Sequence, residues 1–134
     1  MYAAKAALAQ YQKVDNESAV EDASPHRLIQ MLMTRSLERM SQARAALERE
    51  DIPQKGLMLG KAISIIGGLQ ASLDKDQAPE LCENLDRLYD YMQRRLLEAN
   101  VHNDVDKIEE VSGLMQTIKS AWDEIDPAPS AAAG

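Results

Sequence analysis

Apolar residues recur along most of this chain at alternating spacings of three and four, the pattern that one buried face of an α-helix produces. Proline, glycine and helix-capping residues divide the pattern into four segments of helix length. A serine followed by a proline opens the first segment, because serine caps a helix and proline fits its first turn. The predicted helices cover about residues 24–49, 51–73, 79–100 and 103–125.

The apolar stripes of the four predicted helices can meet in a single core. Short turns between helices of this length make consecutive helices antiparallel neighbours, so the predicted fold is all-α, an antiparallel up-down four-helix bundle. A chain of 134 residues is expected to hold one domain. The bundle is assigned to residues 23–126, between a short, partly helical N-terminal segment, residues 1–22, and a disordered, proline-containing tail, residues 127–134.

Composition supports helices and disfavours several classes of partner. Aromatic residues make up 4% of the chain and phenylalanine is absent, whereas the strands of a β-sandwich draw on aromatic and β-branched residues. The net charge of −7 disfavours nucleic acid and anionic membranes, because phosphates attract clustered lysine and arginine. The sequence carries no apolar stretch suited to membrane insertion and no secretion signal, so the protein is expected in the cytoplasm.

The sequence offers little of the chemistry that an enzyme or a metal site requires. A di-iron bundle uses glutamates with Glu-x-x-His pairs, whereas Glu98 and His102 have another spacing and straddle a helix end. His26 stands at a helix start, and Cys82, the single cysteine, occupies an apolar position where burial is expected. The protein is therefore predicted to be no enzyme and to hold no metal or cofactor. A metal-dependent bundle oxidase is kept as a third hypothesis.

Some large apolar side chains fall at the edge of the predicted stripes or outside them. They are Met58, Ile65, Tyr91 and Leu97. Such residues are either ordinary scattered surface or part of a docking patch, and the seven methionines favour the patch because their flexible side chains suit adaptable surfaces. Gly60, Gly67 and Gly68 inside the second helix indicate either close packing against a neighbour or a deformable wall for a partner.

Two stretches of the sequence resemble the FliS family of flagellar export chaperones. They are ASPHRLIQML at residues 23–32 and LYDYMQRRLLEAN at residues 88–100, with shorter likenesses at Tyr11-Gln12, QASLD (70–74) and Trp122-Asp123. The second stretch is specific, since a generic bundle helix has no reason to carry Tyr-Asp-Tyr-Met followed by two arginines. The first departs from the family after its Met-Leu pair, where many members have Tyr-Asp-Gly and this chain has Met33-Thr34-Arg35.

The resemblance implies a monomer or weak dimer that binds the disordered C-terminal region of flagellin, prevents its premature polymerisation and delivers it to the export gate protein FlhA. It implies that Leu8 and Tyr11 contact FlhA, and that residues 1–22 can fold over the flagellin site when no client is bound. The rival hypothesis is a helical adaptor or assembly subunit that self-associates through the same apolar patch.

Six apolar residues of the second and third helices are expected at or near a flagellin-binding groove, although each is also a candidate for the core. They are Ile65, Leu69, Leu85, Tyr89, Met92 and Leu96. For Arg94 and Arg95, two interpretations stay open: surface ion pairs with nearby carboxylates, or contact with the client.

Overall fold

A computed structural model describes residues 23–125, and over this range the chain forms four α-helices and no strand. In chain order they are α1 (Pro25–Glu48), α2 (Ile52–Ala71), α3 (Pro79–His102) and α4 (Val105–Glu124). The all-helical class and the four helix positions predicted from the sequence are confirmed. The predicted N-terminal segment and C-terminal tail lie outside the described residues.

Three of the four helices begin at a side chain that caps the first turn. The Ser24 hydroxyl accepts a hydrogen bond from the Arg27 backbone N–H at 3.1 Å, and the Asp51 carboxylate accepts one from Gln54 at 3.2 Å. Asp104 caps α4 in the same way. Each cap supplies an acceptor to a backbone N–H that has no partner inside its helix, which is why these helices begin where they do.

The start of α3 has no such cap. Ala78 precedes it in a left-handed conformation, with φ of 48°, and makes no side-chain capping hydrogen bond. The helix is started instead by Pro79, whose fixed φ suits the first turn, and it continues to His102, two residues past the predicted end. Helix α2 ends at Ala71, and a turn connects it to α3. Leu73, which the apolar pattern had included in the second helix, therefore lies in this connection.

The core is built from aliphatic and methionine side chains of all four helices. Its largest fully buried members include Leu32, Met40, Leu59, Ile66, Met92, Leu96, Ile108 and Met115. Buried Ser36 donates its hydroxyl hydrogen bond to the carbonyl oxygen of Met33 at 2.7 Å, so its polar group is satisfied within α1.

Polar contacts tie neighbouring helices together near their ends. At the start of α2, the buried Lys55 ammonium donates to the Asn100 backbone oxygen at 2.8 Å and to its side-chain oxygen at 2.7 Å. Near the end of α2, the Gln70 amide donates to the Asp86 carboxylate at 2.9 Å. Within residues 23–125, no helix is both long enough and apolar enough to cross a membrane.

Candidate functional site

The residues predicted to bind flagellin lie mostly in the core. Ile65, Leu69, Tyr89, Met92 and Leu96 are at most 3% exposed, and only Leu85 is half-buried. The two residues predicted to contact FlhA, Leu8 and Tyr11, lie outside the described part of the chain. Contact of these eight residues with flagellin or FlhA therefore stays a prediction.

Leu69, Leu85 and Tyr89 also reach an apolar groove at one end of the bundle. The groove lies between the first turns of α1, the end of α2, the start of α3 and the last turns of α4, and its volume is about 310 Å³. Its lining is mostly apolar and comprises Ile29, Met33, Leu69, Ser72, Leu73, Asp74, Gln77, Ala78, Leu81, Cys82, Leu85, Tyr89, Ile118 and Trp122. The structure thus brings three of the six predicted residues to one groove and leaves Ile65, Met92 and Leu96 out of it.

The start of α3 forms one side of this apolar groove. Leu81 is 57% exposed in the first turn of the helix, whereas Cys82 beside it is buried. The Cys82 thiol lies 3.1 Å from the Asp74 carbonyl oxygen and 3.2 Å from that of Gln77, which fixes the turn before α3 against the helix. The cysteine is therefore a packing residue, and Leu81 presents an apolar side chain to solvent at the edge of the groove.

The opposite side of the groove is fixed by a reciprocal contact between α1 and α4. The Trp122 indole N–H donates to the His26 backbone oxygen at 3.0 Å, and His26 Nε2 lies 2.8 Å from the Trp122 backbone oxygen. Because a carbonyl oxygen only accepts, Nε2 carries the hydrogen. The two rings stack with centroids 4.8 Å apart and planes 13° from parallel. We name this pair of residues the α1–α4 clasp.

Asp123 reinforces the clasp from the adjacent position. Its carboxylate accepts hydrogen bonds from the Lys119 ammonium at 2.6 Å and from the Gln30 amide at 2.8 Å. The Lys119 hydrogen bond, followed by that from Gln30, holds the pKa of Asp123 below its usual value. The carboxylate thus links the last turn of α4 to Gln30 of α1.

Tyr89 forms part of the floor of the apolar groove and is 3% exposed. Burial raises the pKa of its hydroxyl to about 12, which agrees with its position beneath the apolar lining. Within residues 23–125, no group of three or more His, Cys, Asp or Glu side chains could hold a metal ion. The lining of the groove is mostly apolar, so it offers apolar surface rather than charged groups to a ligand.

Tyr91, predicted to lie outside the stripes, and Arg94 and Arg95 of α3 all form polar contacts. Tyr91 donates to Glu110 of α4 at 2.6 Å, and Arg95 donates to the same carboxylate at 2.8 Å. The hydrogen bond from Tyr91, followed by the one from Arg95, lowers the pKa of the Glu110 carboxyl below its usual value. The same Tyr91–Glu110 hydrogen bond raises the pKa of the Tyr91 hydroxyl. Arg94 pairs with Asp90 on the surface of α3 at 3.1 Å. The ion-pair interpretation of both arginines is therefore the one that the geometry supports.

The glycines of α2 also differ from one another. A Cβ added at Gly67 would lie 3.4 Å from the Gln93 side-chain oxygen of α3, whereas one added at Gly60 would meet nothing within 4 Å. Gly67 therefore faces a neighbouring side chain at about contact distance and Gly60 faces open space, so close packing does not explain Gly60. Two further apolar residues predicted at the edge of the stripes or outside them also differ: Met58 is buried, with 5% of its surface exposed, whereas Leu97 is exposed to solvent.

Leu73, Leu81 and Trp122 line the groove but were not among the residues predicted to do so. The available signal was their position: each lies in the first or last turn of its stripe, or just beyond it. At a helix end fewer neighbouring residues cover a side chain, and here Leu73 and Trp122 are half-buried and Leu81 is exposed.

Comparisons with known proteins all point to one family. Residues 7–129 match the sequence profile described as "Flagellar protein FliS". The "Flagellar secretion chaperone FliSB" of Pseudomonas aeruginosa is 58% identical over 125 residues, which cover 93% of this chain and 98% of that protein. The "Flagellar secretion chaperone FliS" of Salmonella typhimurium is 50% identical over 121 residues, 90% of each chain. The Escherichia coli protein of the same name is 45% identical over 131 residues, covering 97% of this chain and 96% of that one.

Proposed function

Because this chain belongs to the FliS family of flagellar proteins, we propose that it is a cytoplasmic flagellar secretion chaperone whose apolar groove binds the C-terminal region of flagellin. Binding there keeps the subunit from polymerising before its export. The observation that carries the proposal is the apolar groove itself, which has a fixed wall at the α1–α4 clasp and an exposed Leu81 at its edge.

Burial of apolar surface supplies the binding free energy without ATP. Each Å² of apolar surface removed from water contributes about 25 cal/mol, and a client that is disordered alone loses a few kcal/mol on ordering. A segment that covers the groove and continues over the adjacent surface offsets that cost. Such a mechanism accounts for a chaperone in a family whose named members act in secretion.

The proposal takes the four helices as an antiparallel up-down bundle. The start of α2 meets the end of α3 through Lys55 and Asn100, and the start of α1 meets the end of α4 through His26 and Trp122. These contacts support opposite directions for neighbouring helices. In such a bundle Leu69, Leu85 and Tyr89 contact the client directly, while Ile65, Met92 and Leu96 support the groove from the core.

Delivery to the export gate is the second half of the proposal. Leu8 and Tyr11 of the N-terminal segment contact FlhA, as the resemblance to the family implies. Replacement Tyr11→Ala is expected to weaken binding of the flagellin-loaded chaperone to FlhA in a pull-down or calorimetric titration. Flagellin binding by the same variant should be unchanged, and equal FlhA affinity of variant and parent would contradict the role of Tyr11.

Substitution Leu81→Lys tests the groove directly. It places a charge where an apolar client segment is proposed to lie, and Leu81 is exposed enough for the fold to tolerate the change. Affinity for a flagellin C-terminal peptide, measured by calorimetry, should fall about tenfold or more, since burying an unpaired charge is costly. The matched control is Val101→Lys, at a position 74% exposed near the other end of α3, and its affinity should stay near that of the parent.

Two results of this titration would contradict the proposal. One is equal affinity of the two variants, which would place the client elsewhere. The other is failure of the parent to bind the peptide while sedimentation shows concentration-dependent self-association that Leu81→Lys abolishes. That second result would favour the self-associating adaptor.

A further inference from the structure

The end of the bundle remote from the apolar groove holds a second cavity, which we name the end pocket. It lies among the end of α1, the α1–α2 turn, the α3–α4 turn and the start of α4, and its volume is about 600 Å³. Its apolar lining comes from Leu47, Ile52 and Val105. Ile52 is 45% exposed in the first turn of α2, so an aliphatic surface is open to solvent here.

Carboxylates dominate the charged rim of the end pocket. Glu48, Glu50 and Glu109 contribute to the lining, and Arg44 is the one basic residue among the lining residues described. Arg44 Nε lies 3.2 Å from a Glu109 carboxylate oxygen and 3.4 Å from one of Glu48, so a single guanidinium is shared between two acids. The rim therefore has an excess of negative charge.

Glu50 contributes most directly to that excess. Its neighbour Arg49 is turned toward Asp51, with the closest charged atoms 4.0 Å apart. Within residues 23–125, no ion pair or hydrogen bond engages the Glu50 side chain. The backbone at Glu50 is left-handed, with φ of 59°, and the residue is exposed, so its carboxylate stands at the mouth of the pocket without a cation to neutralise it.

We propose that the end pocket docks a basic amphipathic segment of another protein. An aliphatic side chain of that segment covers Ile52, and flanking lysines or arginines pair with Glu50 and with the acids that now share Arg44. Charge complementarity selects this occupant: an apolar floor inside an acidic rim attracts an apolar anchor flanked by cations. A second copy of this chain, with its net charge of −7, would be repelled, as would nucleic acid.

The end pocket and the apolar groove share no lining residue. The proposal therefore has the basic partner at the end pocket while a client segment fills the groove. The chaperone is then an adaptor with one apolar site and one acidic site.

The test uses a short synthetic helix with leucines along one face and lysines beside them, titrated into the full-length protein by calorimetry and followed by amide chemical shifts. The shifts should concentrate at residues 44–52 and 103–109, with the flagellin C-terminal peptide already bound. Glu50→Lys should weaken the affinity about tenfold, because it reverses the unpaired charge at the rim. Ile52→Ser, which removes the apolar anchor point, should weaken it as well.

Glu83→Lys is the matched control, since Glu83 is an exposed acid on α3 outside both cavities and its reversal changes the net charge equally. Its affinity for the lysine helix should stay within about twofold of the parent at moderate salt. Equal weakening by Glu83→Lys and Glu50→Lys would show attraction to the overall charge and overturn the proposal. Displacement of the lysine helix by the flagellin peptide would also overturn it, because the end pocket would then be part of the client surface.

Discussion

The two ends of the α2–α3 pair are held in different ways. Where α2 begins and α3 ends, a buried ammonium crosses between the helices, and Asp51 and Asp104 cap the helices that start at that end. Where α2 ends and α3 begins, the α3 N-terminus has no side-chain cap and Leu81 faces solvent. The first end thus has a buried ammonium between the helices and two capped N-termini, whereas at the second end the Gln70–Asp86 hydrogen bond joins the helices beside the exposed Leu81. Under the proposed function, stability and client binding depend largely on different parts of one small bundle.

Truncation of core and groove residues should separate these two roles most strongly. Met92→Ala removes a fully buried side chain and should lower the free energy of unfolding by about 3 kcal/mol, because a cavity remains. Leu85→Ala, at a half-buried groove position, should cost about 1 kcal/mol. Urea denaturation measures both changes in unfolding free energy. In calorimetry with the flagellin peptide, Leu85→Ala should weaken binding more than Met92→Ala does. Equal effects on stability would remove the distinction between core and groove.

The end of the pair where α2 begins and α3 ends can be destabilised at Lys55. Lys55→Met keeps the aliphatic length but leaves the Asn100 carbonyl oxygen without its charged donor, so the expected loss of unfolding free energy is about 2 kcal/mol. Flagellin affinity under native conditions should be unchanged. A double-mutant cycle with Asn100→Ala isolates the contribution of the side-chain hydrogen bond, and additive effects of the two substitutions would show that this bond contributes nothing.

The α1–α4 clasp lies beside the groove and should affect both properties. His26→Ala removes the stacked ring and the Nε2 hydrogen bond, with an expected loss of about 1–2 kcal/mol in unfolding free energy. Flagellin affinity should also fall, since Trp122 would no longer be held at the wall. Arg27→Ala, at the exposed next position, is the control, and a similar result for both variants would exclude a specific role for the clasp.

The smallest effect concerns pH and the contact between α3 and α4. Hydrogen bonds from Tyr91 and Arg95 lower the Glu110 pKa in the folded protein. A lowered folded-state pKa contributes stability above the unfolded-state value of about 4.3, and this contribution is lost as the pH falls through the folded-state pKa. Glu110→Gln should therefore be less stable than the parent at neutral pH, with a difference that shrinks in acid. Denaturation midpoints at several pH values measure it, and a difference that grows in acid would contradict this assignment.

Most of the fold was predictable because its determinants are local. Ser24 with Pro25, Asp51 and Pro79 mark helix starts, and apolar spacing identifies the face that each helix buries. Part of the site was not predictable for a physical reason. Periodicity assigns Met92 and Leu85 to an apolar face but does not tell how fully the neighbouring helices cover each position, so it cannot separate a closed core from an open groove.

Side chains at the flanks of the stripes show the same limit. When α3 is considered alone, Tyr91 has no evident partner and Arg95 has only Glu98 of the same helix, yet α4 places Glu110 opposite both of them. Lys55 would be assigned to solvent by its charge, although it is 3% exposed and bonded to the end of α3. A bundle helix has two neighbours, and the residues facing the second neighbour are revealed only by the assembled fold.

The α1–α4 clasp also gives this protein an optical reporter of its own. Trp122 is the only tryptophan in the chain, and its indole ring stacks on an imidazole at the wall of the groove. Indole emission responds to the polarity and the quenching groups around the ring. Fluorescence of the unlabelled protein should therefore follow the filling of the groove in real time, and the kinetics of client capture and release become measurable without attaching a dye.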